Sequence, residues 1–356
     1  MSKISLSSND LPIEHVAETS ADINIAIDIM GGDRGPHVFL YAVENILQKH
    51  PKVNLTLCGD DKSKKLFASC LANNRVKYEV CEQIVNMSDK PTMAIRSKKQ
   101  SSMRKALELT KCKEVDACVS SGNTGALMAT AYYVLKTLPG ITRPALATLL
   151  PTQNNSRVLL LDLGASISYD AESLYQYALM GSILMQECQL VEQPRVALLN
   201  VGEEEIKGHS LVKHADLLIR SSDTINYIGY VEGDDIFAGK SDVVVTDGFT
   251  GNVALKASEG IASFLSNEIK TVCTQSFFSR VLSKLAMPLF KSLYQRMNPD
   301  QYNGASLLGL RSIVVKSHGN ASPEACYFAV EQAIMEVKQS VPTKIKAKIE
   351  QELMEH

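Results

Sequence analysis

Five stretches of this sequence place glycine beside small polar or charged residues directly after an apolar run. DVVVTDGFTGNVALK, from position 242, holds Asp247, Thr250, Gly251 and Asn252 in one sharp turn. DACVSSGNTGALM, from position 116, holds Gly122, Asn123, Thr124 and Gly125; INIAIDIMGGDRGP, from position 23, holds Gly31, Gly32 and Asp33. LLLDLGAS and NVGEEEIKG are the other two, and Lys207 is the only base of the second. A strand, a glycine turn and a helix start aim several backbone N–H groups at one spot, where the helix dipole favours negative charge. Glycine suits such a spot because a side chain would hold an anion away from the backbone. One copy reads equally well as a tight βα turn of any α/β protein. Five copies predict one anion-binding crevice at the carboxyl ends of parallel strands. Asp28, Asp33 and Asp247 would repel an anion, so they are expected to accept backbone N–H groups and shape the turns.

The elements that must carry these turns follow from periodicity. Strands are expected over 23–29, 53–58, 75–81, 143–150, 227–233, 243–245 and 313–315 and at the start of 157–166 and 195–208, with helices at 37–50, 126–135, 172–187 and 211–221 and after Pro323. Alternating strands and helices predict an α/β fold, doubly wound around a largely parallel sheet with right-handed crossovers. Residues 1–22 read as a disordered extension, 23–340 as the α/β domain and 341–356 as a tail.

Composition narrows the class. A chain of 356 residues with 45% hydrophobic and 21% charged residues is an ordinary soluble globular mix, long enough for a substantial core. Its net charge of −2 gives no reason to expect nucleic-acid binding. None of the eight cysteines forms C-x-x-C, which predicts reduced thiols in a cytosolic protein. His209 and His214 are off the spacing that puts two ligands on one helix face, and H-E-x-x-H is absent, so no metal is expected. The first twenty residues lack a signal-peptide core, and no apolar run is long enough to span a bilayer. A cytoplasmic location is expected.

Two stretches are basic. SDKPTMAIRSKKQSSMRKALELTK, from position 88, crowds Arg96, Lys98, Lys99, Arg104 and Lys105 ahead of the Gly122 turn, with Ser88 as an N-cap and Pro91 in the first turn. It reads either as a solvated face or as a surface for phosphate or an acidic protein. Residues 270–297 place Phe278, Leu282, Leu285 and Leu289 on one helical face and Arg280, Lys284 and Lys291 on the other. That pattern suits a helix lying on an anionic lipid surface, or a core or dimer contact. Pro288 must kink it, which predicts a projecting helix-loop-helix over 268–300.

Taken together, IDIMGGDRGP, SDKPTMAIRSKKQSSM, SSGNTGALMA, LLLDLGAS, ALMGS, NVGEEEIKG, DVVVTDGFTGNVALK, YNGASLLGL and VVKSHGNAS resemble, in order, the PlsX family of acyl-carrier-protein:phosphate acyltransferases of bacterial phospholipid synthesis. The resemblance covers nearly everything from Ile23 to about Lys338. It implies a fold similar to phosphotransacetylases and isocitrate dehydrogenases, a homodimer, and no organic cofactor. It also implies that inorganic phosphate attacks a fatty acyl thioester on acyl carrier protein, giving an acyl phosphate for a membrane glycerol-3-phosphate acyltransferase. Peripheral contact with an anionic membrane would suit that product. Positioning and preorganised donors supply such catalysis. Lys207 then neutralises phosphate or polarises the carbonyl, Asn252 donates to the oxyanion, and His318 protonates the leaving thiolate or holds phosphate. Ser166 stands where the family usually has Asn, and His209 where it often does. The competing readings are another enzyme on a related fold, such as a short-chain phosphotransacylase or a dehydrogenase, and a lipid-surface adaptor; no G-x-G-x-x-G follows a strand.

Overall fold

Valine, isoleucine and leucine dominate the strands on both faces, as expected for strands covered on both sides. In the computed structural model, which describes residues 21–166, 169–189, 191–286 and 299–355, they form one sheet. Its strands are β1 (Ile23–Asp28), β2 (Val53–Gly59), β3 (Val76–Val80), β4 (Ala117–Ser120), β5 (Ala145–Pro151), β6 (Arg157–Leu161), β7 (Val196–Leu199), β8 (Tyr227–Val231), β9 (Val243–Val245), β10 (Ala305–Leu308) and β11 (Ile313–Lys316). Their order across the sheet is β3-β2-β1-β4-β11-β10-β5-β6-β9-β7-β8.

Strands β3, β2, β1, β4 and β11 are parallel to one another, and so are β6, β9, β7 and β8. Between the two sets, β10 is antiparallel to both β11 and β5, and β5 is antiparallel to β6. The two parallel sets therefore run in opposite directions. This corrects the expectation of one crevice at a common strand end: the carboxyl ends of β1, β4 and β11 lie at one edge of the sheet, those of β6, β7 and β9 at the other.

The helices are α1 (Val38–Lys49), α2 (Asp61–Lys64), α3 (Ala68–Leu71), α4 (Pro91–Ser97), α5 (Ser102–Lys111), α6 (Thr124–Leu135), α7 (Ala171–Cys188), α8 (Ser210–Arg220), α9 (Gly248–Thr274), α10 (Phe277–Leu285), α11 (Pro323–Lys338) and α12 (Val341–Glu355). Side-chain alternation splits the core between the two faces. Ile25 and Ile27 pack under α1 and α11, and Leu159 and Leu161 under α7 and α12. Ala26, Val158 and Leu160 face the other way, into a cluster with α5, α6 and the Ala254–Leu255 side of α9.

Three elements depart from expectation. The basic stretch at 88–111 is two short helices: Lys90, not Ser88, precedes the first, and the Ser101 hydroxyl accepts from Arg104 N to cap the second. Residues 341–355 are helical, with Val341, Ile345 and Ile349 buried at i, i+4, i+8 against the α7 side, so this segment belongs to the fold rather than to a tail. The first half of the 270–297 stretch continues α9 to Thr274 and then restarts as α10. Most of the 1–22 extension, Lys291 and Leu289, and the side chains of Lys284 and Leu285, lie outside the described residues.

Candidate active site

At one sheet edge, the loops after β1, β4 and β11 are locked together. Ser121 Oγ donates to Gly31 O at 2.7 Å, Asp33 N to Gly319 O at 2.8 Å, and Ser317 N to Ser120 O at 2.9 Å. Gly31 meets Gly122 so closely that a Cβ on Gly31 would stand 2.4 Å from Gly122 N. Gly32 has φ +88°, where side chains are strained, and its own Cβ would meet Gly319 O at 2.8 Å. Asp28 lies beneath, 1% exposed, accepting from Ser120 Oγ at 2.7 Å and from Met30 N at 3.3 Å. Burial pushes its carboxyl up, against the hydrogen bonds from Ser102 and Ser120. Asp28 thus shapes the turn, as its position suggested.

Asn123 begins α6. Its Oδ1 accepts from Ala126 N at 2.9 Å, and its Nδ2 donates to Met87 O at 2.6 Å and Asp89 O at 3.2 Å. Both ends of the amide are therefore engaged with backbone. Thr124 and Gly125 form the first turn, and Gly125 lets Pro91 of α4 approach: a Cβ would sit 3.1 Å from its Cγ.

At the other edge, β6 and α9 meet. Asp162 is fully buried and accepts from Leu146 N, Ala165 N and Ser166 N at 2.8, 2.9 and 2.9 Å. Burial raises its carboxyl in spite of them. A Cβ on Gly251 would stand 2.0 Å from Asp162 O, and one on Gly248 2.4 Å from Ser166 O, so glycine alone lets α9 start there. Asp247 caps the helix, accepting from Phe249 N at 2.9 Å and Thr250 N at 3.0 Å. Thr250 and Asn252 are exposed on its first turn, Asn252 beside Gly164. Arg143 Nη1 donates to Ser166 Oγ at 3.2 Å.

α9 joins the two edges. It runs from the Gly248 end and brings Lys256 Nζ to 3.3 Å from His318 Nε2, on the loop after β11. His318 Nδ1 accepts from Asn320 N at 3.2 Å, and His318 N donates to Asn303 Oδ1 at 2.9 Å. Burial and then the charge of Lys256 lower the His318 pKa, which keeps the imidazole neutral at neutral pH. Glu259 lies 2.7 Å from Lys256 Nζ and 3.9 Å from His318 Nε2. Lys256 and Lys316, which carry the charge here, are two residues that sequence reasoning passed over.

Lys207 is elsewhere. Its Nζ pairs with Glu204 at 2.8 Å on the exposed loop after β7, and its carbonyl accepts from Asn200 Nδ2 at 3.3 Å. No described contact joins it to Asn252, Asp247 or His318. Hydrogen bonding to Glu204 raises its pKa, so it remains an ammonium.

The carrier-protein candidates divide. Lys98 pairs with Asp89 at 2.8 Å and donates to Ile84 O at 2.6 Å; Arg104 pairs with Glu108 at 2.6 Å, and Lys105 with Glu79 at 3.2 Å. Arg96 and Lys99 are exposed. Beyond Lys256, α9 and α10 carry exposed apolar side chains, among them Ile261, Phe264, Val272, Phe277, Phe278 and Leu282. Among the described residues, no helix is long and apolar enough to cross a membrane, and no cluster of three or more His, Cys, Asp or Glu is placed to hold a metal ion.

An α/β sheet wound in this way, with glycine turns at its strand ends, defines the fold class of the phosphotransacetylases. The phosphotransacetylase from Streptococcus pyogenes superposes with a TM-score of 0.59 at 16% identity, covering 89% of this chain and 94% of that one. The EutD phosphotransacetylase from Staphylococcus aureus gives 0.56 at 16%, with the same coverage. Residues 23–344 match the family described as fatty acid synthesis protein. The phosphate acyltransferase of Pseudoalteromonas atlantica is 52% identical over 336 residues, 94% of this chain and 98% of that one; that of Colwellia psychrerythraea is 46% identical over 343 residues, 93% and 97%. The chain belongs to the PlsX family of phosphate acyltransferases.

Proposed function

We propose that this protein transfers a long-chain fatty acyl group from acyl carrier protein to inorganic phosphate. A phosphate oxygen attacks the thioester carbonyl carbon, and the oxyanion collapses with cleavage of the C–S bond. Acyl phosphate leaves, and the carrier thiolate takes up a proton. Phosphate is itself a nucleophile, so the chain need only hold it, orient the thioester and donate to the oxyanion.

The observation that carries this reading is one helix with two characters. α9 brings Lys256 to His318 beside the glycine loops, then continues outward with Ile261, Phe264 and Leu265 exposed. A polar anion site flanked by an open apolar helix suits a substrate that is phosphate at one end of the reaction and a fatty chain at the other. Asn252, exposed at the start of the same helix, is the proposed oxyanion donor, and Lys207 a proposed polarising cation from the neighbouring loop. Gly31, Gly32, Gly122 and Gly125 let the loops and α4 close on one another around the proposed anion site, and Asp33, Asn123, Asp247 and Thr250 set the turns.

Arg96 and Lys99 are the exposed bases proposed to meet the acidic carrier. Phe277, Phe278 and Leu282 are proposed to rest on an anionic bilayer or to meet a second copy of the chain, so that acyl phosphate passes to a membrane glycerol-3-phosphate acyltransferase without crossing water. The test is ³¹P NMR of the protein with long-chain acyl carrier protein and phosphate. An acyl phosphate resonance growing with time supports the reading; its absence while the thioester is consumed indicates hydrolysis instead.

A further inference from the structure

Lys316, the last residue of β11, is 6% exposed. A buried ammonium needs partners for three donors and an opposite charge to offset its loss of hydration. Its Nζ donates to Ser121 O at 3.4 Å and to Ser317 O, which are neutral carbonyls on the locked loops. Among the described residues, no carboxylate stands within the 4.0 Å of an ion pair. Asp28 and Asp33 act on it only at longer range. The cation that acts on it is Lys256, whose Nζ lies 3.3 Å from the neutral His318 ring. Among the described residues, Glu259 is the one carboxylate in contact with this group, and it already pairs with Lys256 at 2.7 Å. A buried lysine with only neutral carbonyl partners thus lies within the field of the half-exposed Lys256 and beside the His318 loop, with no described carboxylate of its own in contact. Burial, reinforced by Lys256, pulls the Lys316 pKa to about 8, as expected for a cation awaiting its counter-ion.

We propose that Lys316, together with Lys256 and His318, binds the phosphate that attacks the thioester. The proposal rests on the acyltransferase reading and names the residues that hold the nucleophile. A bound dianion stabilises the ammonium, so binding raises the Lys316 pKa. Above about pH 8 the free protein has lost that proton and must take one up on binding. Apparent phosphate affinity therefore falls as pH rises above about 8.

The test uses Lys316→Met and Lys256→Met, each checked for native folding by circular dichroism. Lys316→Met should raise the phosphate KM by about tenfold or more, the loss of one hydrogen bond to a charged group. The KM for acyl carrier protein should stay within twofold. Calorimetry with phosphate alone, in buffers of different ionisation enthalpy, should show proton uptake near pH 8.5 in the wild type and none in the variant. An unchanged phosphate KM and unchanged proton uptake overturn the proposal. If Lys316→Met does not fold, Lys256→Met decides, with a raised phosphate KM supporting the proposal and an unchanged one overturning it. If the wild type releases no carrier protein with phosphate, the acyltransferase reading fails by itself. Calorimetry then decides separately: phosphate binding lost in Lys316→Met keeps the anion site, and no phosphate binding by the wild type removes it.

Discussion

Replacing Gly31 by alanine tests how the anion loops are held. The new Cβ would stand 2.4 Å from Gly122 N and 2.7 Å from Gly122 Cα, both backbone atoms with no rotamer to yield. Comfortable carbon contacts lie near 3.5–4.0 Å, so one loop must move by about an ångström. Overpacking of this kind costs about 1–3 kcal/mol. The movement also strains a chain of hydrogen bonds, in which Gly122 N donates to Ser120 Oγ at 3.1 Å and Ser120 Oγ donates to the buried Asp28 at 2.7 Å. Losing part of that chain raises the total to about 2–4 kcal/mol. Gly260→Ala is the control: it lies inside α9 with nothing within 4 Å of the added Cβ, so it should stabilise by up to about 1 kcal/mol. Urea unfolding of both variants reads the difference, and phosphate-dependent turnover should fall only in Gly31→Ala. Wild-type stability and turnover in Gly31→Ala would refute the claim that backbone contact locks these loops.

Other perturbations separate the remaining roles. Asn252→Ala should lose about 10²–10³ in turnover, as for one oxyanion donor, and Lys207→Ala should lose turnover with an unchanged melting temperature; full activity in either removes that residue from the mechanism. Arg96→Glu with Lys99→Glu should slow encounter with carrier protein and flatten its salt dependence in stopped-flow mixing, whereas Lys98→Glu should lower the melting temperature by breaking the contacts with Asp89 and Ile84. Phe278→Glu with Leu282→Glu should abolish co-sedimentation with anionic vesicles while turnover on soluble substrate survives; loss of both together would mark the arm as an interface between copies. Burial holds the Glu336 pKa at about 7 against an ordinary 4.5, so the stability it contributes when protonated is present below pH 4.5 and lost as pH rises through about 7. Glu336→Gln should flatten the fall in urea stability between pH 5 and pH 8.

What the sequence revealed was local. The apolar runs and glycine turns of β1, β4 and β9 were legible because strand, turn and helix start are neighbours in the chain. β10 gave no signal because Ala305–Leu308, ASLL, carries no β-branched residue and lies between Gly304 and Gly309. With it went the reversal of direction that separates the two strand-end clusters. Lys316 gave no signal, since burial of a lysine depends on loops some two hundred positions away. The pairing of Lys105 with Glu79 likewise appears only once α5 comes beside β3, and that of Lys98 with Asp89 only once α4 forms between them. α12 was readable in principle: Val341, Ile345 and Ile349 keep helical spacing inside a strongly charged segment that looked like solvent-exposed tail.

Release of carrier-protein thiol from a long-chain acyl thioester, followed with and without phosphate, separates attack by phosphate from hydrolysis. Thiol should appear only with phosphate, saturate with it, and be matched one for one by acyl phosphate. Thiol released equally without phosphate, or none at any phosphate concentration, would contradict attack by phosphate.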